Sequence, residues 1–260
     1  MNVLPGRKPQ KEGLDGMREK DEHVGNFLSR REVMVLLGVT GAAYLIGGRL
    51  AVTQTIAATP RPLCIVRPEQ TEGPYFVDER LHRSDIRSDP ADGRIRLGTP
   101  FALTFQVMHL RRGGCQPLQN AQVDIWHCDA AGVYSDVQDP GFNTVGKKFL
   151  RGYQMTDGGG EAHFMTIYPG WYPIRTVHIH FKIRTALVSG KRFEFTSQLY
   201  FPDELTDRTH TVQPYAGMGP RKVRNRHDFI FRHGGDELML GPTATNEGYA
   251  ATFPIALQLP

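Results

Sequence analysis

His178 and His180, in Thr176-Val-His-Ile-His-Phe-Lys-Ile183, are separated by a single residue. An extended strand has period two, so both imidazoles project from one face, and Val177, Ile179, Phe181 and Ile183 line the other. Two imidazoles side by side are half a metal site, although the same pattern also arises from two unrelated histidines. Tyr172 lies six residues before His178, in Tyr168-Pro-Gly-Trp-Tyr-Pro173, where Pro and Gly make a bend that can aim it at the histidine face. Tyr134 closes the strand-turn Trp126-His-Cys-Asp-Ala-Ala-Gly-Val-Tyr-Ser135. A lone tyrosine in such a place ordinarily packs. Two phenolates with two imidazoles are another matter: that set suits a hard trivalent metal, with phenolate oxygen favouring Fe(III), whereas zinc and copper more often take His or Cys.

The surrounding sequence reads as short strands that could hold these residues. Phe101, Leu103, Phe105 and Val107 alternate along Phe101–Met108. Ala121–Cys128 forms a second strand. Phe149–Met155 and Ala162–Ile167 flank Asp157-Gly158-Gly159-Gly160, a hairpin signal. Thr176–Ile183 and Arg192–Phe201 follow, joined through Ser189-Gly190, with late strands expected at Asp228–Phe231 and Ala250–Leu257. Residues 202–227 read as a long loop with one short helix. Gly 28 and Pro 18 in 260 residues suit frequent turns better than long helices. The expected fold is all-β, an antiparallel β-sandwich with long connecting loops. Hydrophobic residues at 40% and charged residues at 22% support a packed core and exclude global disorder, a coiled coil and a polytopic membrane protein.

The first 59 residues read as an address. Ser29-Arg30-Arg31-Glu32 precedes an uncharged, mostly apolar run from Val33 to Gly48, 16 residues long, followed by small residues to Thr59. That is the order of an export signal, and the paired arginines are of the twin-arginine type. The run is shorter than the ~20 residues of a spanning helix, and its glycines weaken it further. A retained membrane anchor and a buried core helix are the other readings of this run. The expected organisation is 1–59 signal and 60–260 one domain, placed in the periplasm or outside the cell by the twin-arginine machinery. The formal charge of +4 falls to about +2 without the signal, 23 basic against 21 acidic residues, so a nucleic-acid surface is not indicated. Cys64, Cys115 and Cys128 allow one disulfide and one free thiol in an oxidising compartment, and spacing does not say which pair forms.

Taken as a set, several segments resemble the intradiol ring-cleavage dioxygenases, the catechol and protocatechuate enzymes. They are Thr71-Glu-Gly-Pro-Tyr75, Trp126–Ser135, Phe149-Leu-Arg-Gly152, Thr166-Ile-Tyr-Pro-Gly-Trp-Tyr172, Arg175-Thr-Val-His-Ile-His180 and Ser197-Gln-Leu-Tyr-Phe201. The resemblance covers about residues 64–235. It implies one Fe(III) per chain held by Tyr134, Tyr172, His178 and His180, with Arg175 and Gln198 in the active site and Tyr172 as the ligand that leaves to accept a proton. It also implies a catechol-type substrate, O2 as co-substrate and a cis,cis-muconate-type diacid as product. The long helical amino-terminal dimerisation segment of the catechol enzymes has no counterpart here. That points to an exported branch of the family and leaves a homo-oligomer as an option rather than an expectation. The resemblance does not choose among catechol, a carboxylated catechol, hydroxyquinol or a larger lignin-like catechol.

Two rival readings have features of their own. A cupin-like Fe(II) dioxygenase also uses His-x-His, but needs a Glu three or four residues after the second His, where Ile183 and Arg184 stand. An exported β-sandwich binding module without turnover would not need all of Tyr134, Tyr172, His178 and His180. Among the remaining candidates, Trp126, Trp171 and Tyr168 wall a pocket or pack the core, and Tyr75 lines an entrance. His127 reads as a supporting strand residue, and His163, His210, His227 and His233 as solvated or structural.

Overall fold

The computed structural model describes residues 64–185 and 192–259. The signal segment expected over 1–59 and the Ser189-Gly190 turn lie outside the described residues. Eleven strands, one α-helix and three single-turn 3-10 helices (Tyr215–Met218, Asn225–His227 and Gly235–Leu238) are described: β1 Pro100–Arg111, β2 Gly114–Pro117, β3 Gln122–Trp126, β4 Gln138–Asp139, β5 Phe142–Asn143, β6 Arg151–Met155, β7 Glu161–Ile167, β8 His178–Arg184, β9 Glu194–Tyr200, α1 Asp203–Thr209, β10 Thr243–Ala244 and β11 Tyr249–Leu257.

β1 organises the first sheet. It pairs with β11 in parallel, from Phe101↔Tyr249 to His109↔Leu257, and with β7 and β2 antiparallel, and β10 extends the β11 edge. The second sheet runs β6-β3-β8-β9 with every neighbour antiparallel. The sandwich is therefore mixed at the β1–β11 pair rather than antiparallel throughout. The alternation in β1 sends Phe101, Leu103, Phe105 and Val107 into the core, each at most 1% exposed. Phe105 packs on Phe181 of β8 at 5.1 Å and on Phe253 of β11 at 5.9 Å between ring centroids, which ties the two sheets together. Val123, Ile125, Ile179 and Ile183 complete that layer.

β8 is buried on both faces. Ile179, Phe181 and Ile183 face the other sheet, as their period-two spacing requires. His178, His180 and Lys182 face away, under a cover of loops. The expected strand at Asp228–Phe231 is a turn instead. The Asp228 carboxylate accepts the backbone N–H groups of Ile230 and Phe231, which folds the segment back on itself. The strand expected from Phe149 begins only at Arg151, because Leu150 holds a left-handed φ of 53° that extended backbone excludes. The loop reading of 202–227 holds, with α1 as its short helix.

Candidate metal centre

The outer face of β8 supplies two imidazoles and its loops supply two phenols. Nε2 of His178 lies 3.0 Å from Nε2 of His180, 3.3 Å from the Tyr172 hydroxyl and 3.4 Å from the Tyr134 hydroxyl. The four residues expected from sequence thus meet around one point. The Nδ1–H of His178 donates to the Thr176 carbonyl at 2.6 Å, so its Nε2 carries the lone pair. His180 is stacked on Trp126, its cross-strand neighbour on β3, at 5.0 Å.

Each phenol is delivered by a braced loop. Asp129 accepts the amides of Ala131 and Val133 and closes the turn that ends in Tyr134. The next residue, Ser135, is fixed by buried Arg151, whose guanidinium also holds the Tyr75 carbonyl. Tyr172 follows Gly170, where an added Cβ would come within 2.5 Å of the Asp129 and Ala130 carbonyls, so only glycine lets the two tyrosine loops lie this close. His210 donates Nε2–H to Pro169 and Trp171 donates to Gly219, holding the loop from the other side.

Arg175 is fixed beside the centre. Its Nε donates to Asp228 at 2.8 Å and a terminal nitrogen donates to Gln198 Oε1 at 2.6 Å. Gln198 also donates to the Thr71 carbonyl and accepts from the Tyr200 hydroxyl, so its amide is committed to holding Arg175 and the loop before Tyr75. Asp228 is fully buried and also accepts the Thr176 amide. Sequence reasoning assigned no role to it, since one Asp among Phe and Ile carries no site signal. Tyr75 was expected at the entrance, and it stacks on Tyr134 at 4.5 Å while donating to Asp139 at 2.7 Å.

The electrostatics of the bare protein run against ionisation. Burial, and secondarily Arg175, pushes His178 well below its ordinary range, and burial pushes the Tyr134 and Tyr172 phenols up. The imidazoles are therefore neutral, as metal ligands must be. A bound cation would reverse the balance for the phenols. Two neutral imidazoles and two phenols converging at one point, with one lone pair already directed inward, fit a metal ion of hard character.

Elsewhere, His127 is buried, bonded to Cys128 O and Thr166, and takes no part in the centre. Asp157, Glu161 and His163 cluster at the exposed β6–β7 hairpin, where Asp157 is used by the Gly159 and Glu161 amides. The cupin reading fails on geometry. Ile183 is in the core, and Arg184 is paired with Asp124 and Asp78, so no carboxylate joins the histidines from these places. Cys64 and Cys115 form a disulfide and Cys128 is a buried free thiol.

A family model described as "Dioxygenase" matches residues 71–215. Together with the fold and the centre, this places the chain in the intradiol ring-cleavage dioxygenase family of oxidoreductases. The chain is 34% identical over 171 residues to a protocatechuate 3,4-dioxygenase beta chain from Burkholderia cepacia, covering 63% of this chain and 65% of that one. It thus spans about two thirds of that relative's length. An intradiol ring-cleavage dioxygenase from Tetranychus urticae superposes with a TM-score of 0.64 at 28% identity, covering 75% of this chain and 95% of the other. The dioxygenase domain of a dioxygenase–carbohydrate-binding fusion from Streptomyces sp. SirexAA-E superposes with a TM-score of 0.54 at 26% identity, covering 75% and 100%.

Proposed function

We propose that this protein is a non-haem Fe(III) dioxygenase that inserts O2 between the two hydroxyl-bearing carbons of a catechol, giving a cis,cis-muconate-type diacid. The observation that carries the reading is the convergence of the Tyr134 and Tyr172 hydroxyls with His178 Nε2 and His180 Nε2. When bound, the ferric ion supplies a Lewis acid that templates the catecholate and draws its electrons toward O2.

The chain's own groups divide the remaining work. Tyr134 is fully enclosed, while Tyr172 lies at the pocket side and is only partly buried. Tyr172 is therefore the ligand free to swing, and its Oη receives one of the two catechol protons. The donation from His178 Nδ1 to Thr176 keeps that ring in one tautomer and orientation throughout. The Arg175 guanidinium is pinned by Asp228 and Gln198. It presents a fixed cation to the negative charge that develops on the ring, at no reorganisation cost. Trp126 and the Gly73 backbone close over His180 and exclude water from that side.

The signal-like segment and the Cys64–Cys115 disulfide support action outside the cytoplasm, where such bonds persist. The deciding experiment is oxygen uptake by iron-loaded protein with a panel of catechols, with mass analysis of the products and metal content per chain. One iron per chain, a visible tyrosinate-to-iron charge-transfer band and a diacid carrying both oxygen atoms are expected. A colourless iron-loaded protein that consumes no oxygen would overturn the reading.

A further inference from the structure

Outside the metal centre the site opens into a pocket of about 480 Å³. That is about three times the ~150 Å³ apolar cavity that accommodates a benzene ring. Tyr172 forms its inner wall. Phe142, Trp171, Ile174 and Met218 give it apolar surface, Tyr75 flanks it, and Asp139 is the one charged residue along it. Among the described residues no Lys, Arg or His lines it.

Two features of the lining bear on what it receives. Ile174 is 80% exposed and holds a φ of 73°, a backbone that β-branched residues avoid. It stands between Pro173 and Arg175, so an apolar side chain is kept facing the pocket at a conformational cost. Asp139 has its carboxylate oxygens fixed by the Gly141 amide at 2.9 Å and the Tyr75 hydroxyl at 2.7 Å, and no cation pairs with it among the described residues. Its two hydrogen bonds hold its carboxyl below the usual range, so it is charged at neutral pH. A carboxylate on a ring substituent reaching into this pocket would therefore meet an anion, with no cationic side chain along the lining to pair it.

We infer that the preferred substrate is a catechol carrying a bulky, uncharged apolar ring substituent, and that Asp139 disfavours catechols bearing a carboxylate. The inference rests on the ring-cleavage reading, and the two are separable by experiment. Binding of 3,4-dihydroxybenzoate, 4-methylcatechol and 4-phenylcatechol is followed anaerobically on the iron-loaded protein by quenching of tryptophan fluorescence, and cleavage by oxygen uptake. Affinity and kcat/KM are expected to rise in the order benzoate, methyl, phenyl, with about tenfold or more between the ends. Asp139→Asn, whose Oδ1 can still accept from the Gly141 amide while its Nδ2 donates to the Tyr75 hydroxyl oxygen, should raise the benzoate-to-phenyl ratio about fivefold. Ile174→Ser should lower the phenyl-to-methyl ratio. Preference for the benzoate in the native protein, or an unchanged ratio in Asp139→Asn, would overturn the inference. Tight 4-phenylcatechol binding without any cleavage would instead sink the ring-cleavage reading and leave the pocket assignment standing.

Discussion

Tyr134 and Tyr172 are chemically alike but differently placed, and the roles proposed for them rest on that difference. Tyr134 is 1% exposed and its loop is braced by Asp129, Ser135 and Arg151, whereas Tyr172 borders the pocket. Tyr172→Phe should therefore keep the fold, weaken the visible charge-transfer band and slow catechol binding, as read by absorption spectra and stopped-flow mixing. Asp228 acts one contact further out. It is fully buried and holds Arg175 together with the Thr176, Ile230 and Phe231 amides. Asp228→Ala leaves a buried cation and three amides without their acceptor, and should cost about 3–5 kcal/mol in urea unfolding. Asp228→Asn keeps one oxygen, which can still accept the Ile230 and Phe231 amides, but loses the one that takes Thr176 and Arg175, so it should unfold between Asp228→Ala and the native protein. Its kcat should still fall, because Arg175 loses the charge that fixes it.

At the level of elements, the centre depends on two loops that lie unusually close. Gly170→Ala would drive a Cβ to within 2.5 Å of two carbonyls of the Tyr134 loop, and the Tyr172 loop must shift to accept it. Iron affinity is expected to fall about 10–100-fold, as when supports of a ligand are disturbed. Competition against a chelator measures it, with the melting temperature as the control for gross unfolding. The same elements show what local sequence can report. His178 and His180 were legible because strand periodicity alone puts them on one face, opposite Ile179 and Phe181. Tyr134 and Tyr172 were legible only through the company of their motifs, since a single tyrosine in a loop has no periodicity to betray it. The Asp228–Phe231 segment looked like a strand because Phe231 is a core residue. Alternation reports burial, and here a side-chain carboxylate rather than a partner strand satisfies the backbone. The parallel β1–β11 pairing was illegible for a different reason. The pattern of each strand specifies a buried face and says nothing of which distant segment lies beside it.

For the whole molecule, the stability of the metal-free protein should carry the mark of its buried imidazoles. The Cys64–Cys115 link, closing a separation of 51 residues, adds up to about 4 kcal/mol by loop-closure entropy, and reduction should lower the urea midpoint accordingly. That contribution is independent of pH across the acid range, whereas that of the buried histidines is not. His127 is fully enclosed, donates Nδ1–H to Cys128 O and accepts from Thr166 at Nε2, and burial pushes its pKa down to about 4. His178 and His180 are pushed down in the same way. In the unfolded chain each titrates near 6.5. Below that pH the unfolded state binds protons that the native state refuses, so stability falls as the solution is acidified and is fully present only above it. For His127 the loss runs from about pH 6.5 to about pH 4 and amounts to about 3 kcal/mol, or about 1.4 kcal/mol per pH unit for each proton. Urea unfolding of metal-free protein between pH 7.5 and 4.5 should show a midpoint that falls on acidification, with His127, His178 and His180 and, through its own burial, His210 contributing. His127→Gln keeps one donor and one acceptor and should reduce the slope of that fall by one proton while leaving the contribution of His178 and His180. A pH-independent midpoint over this window would mean that these rings titrate in the folded protein as they do in the unfolded chain, and burial would not then be what keeps them neutral.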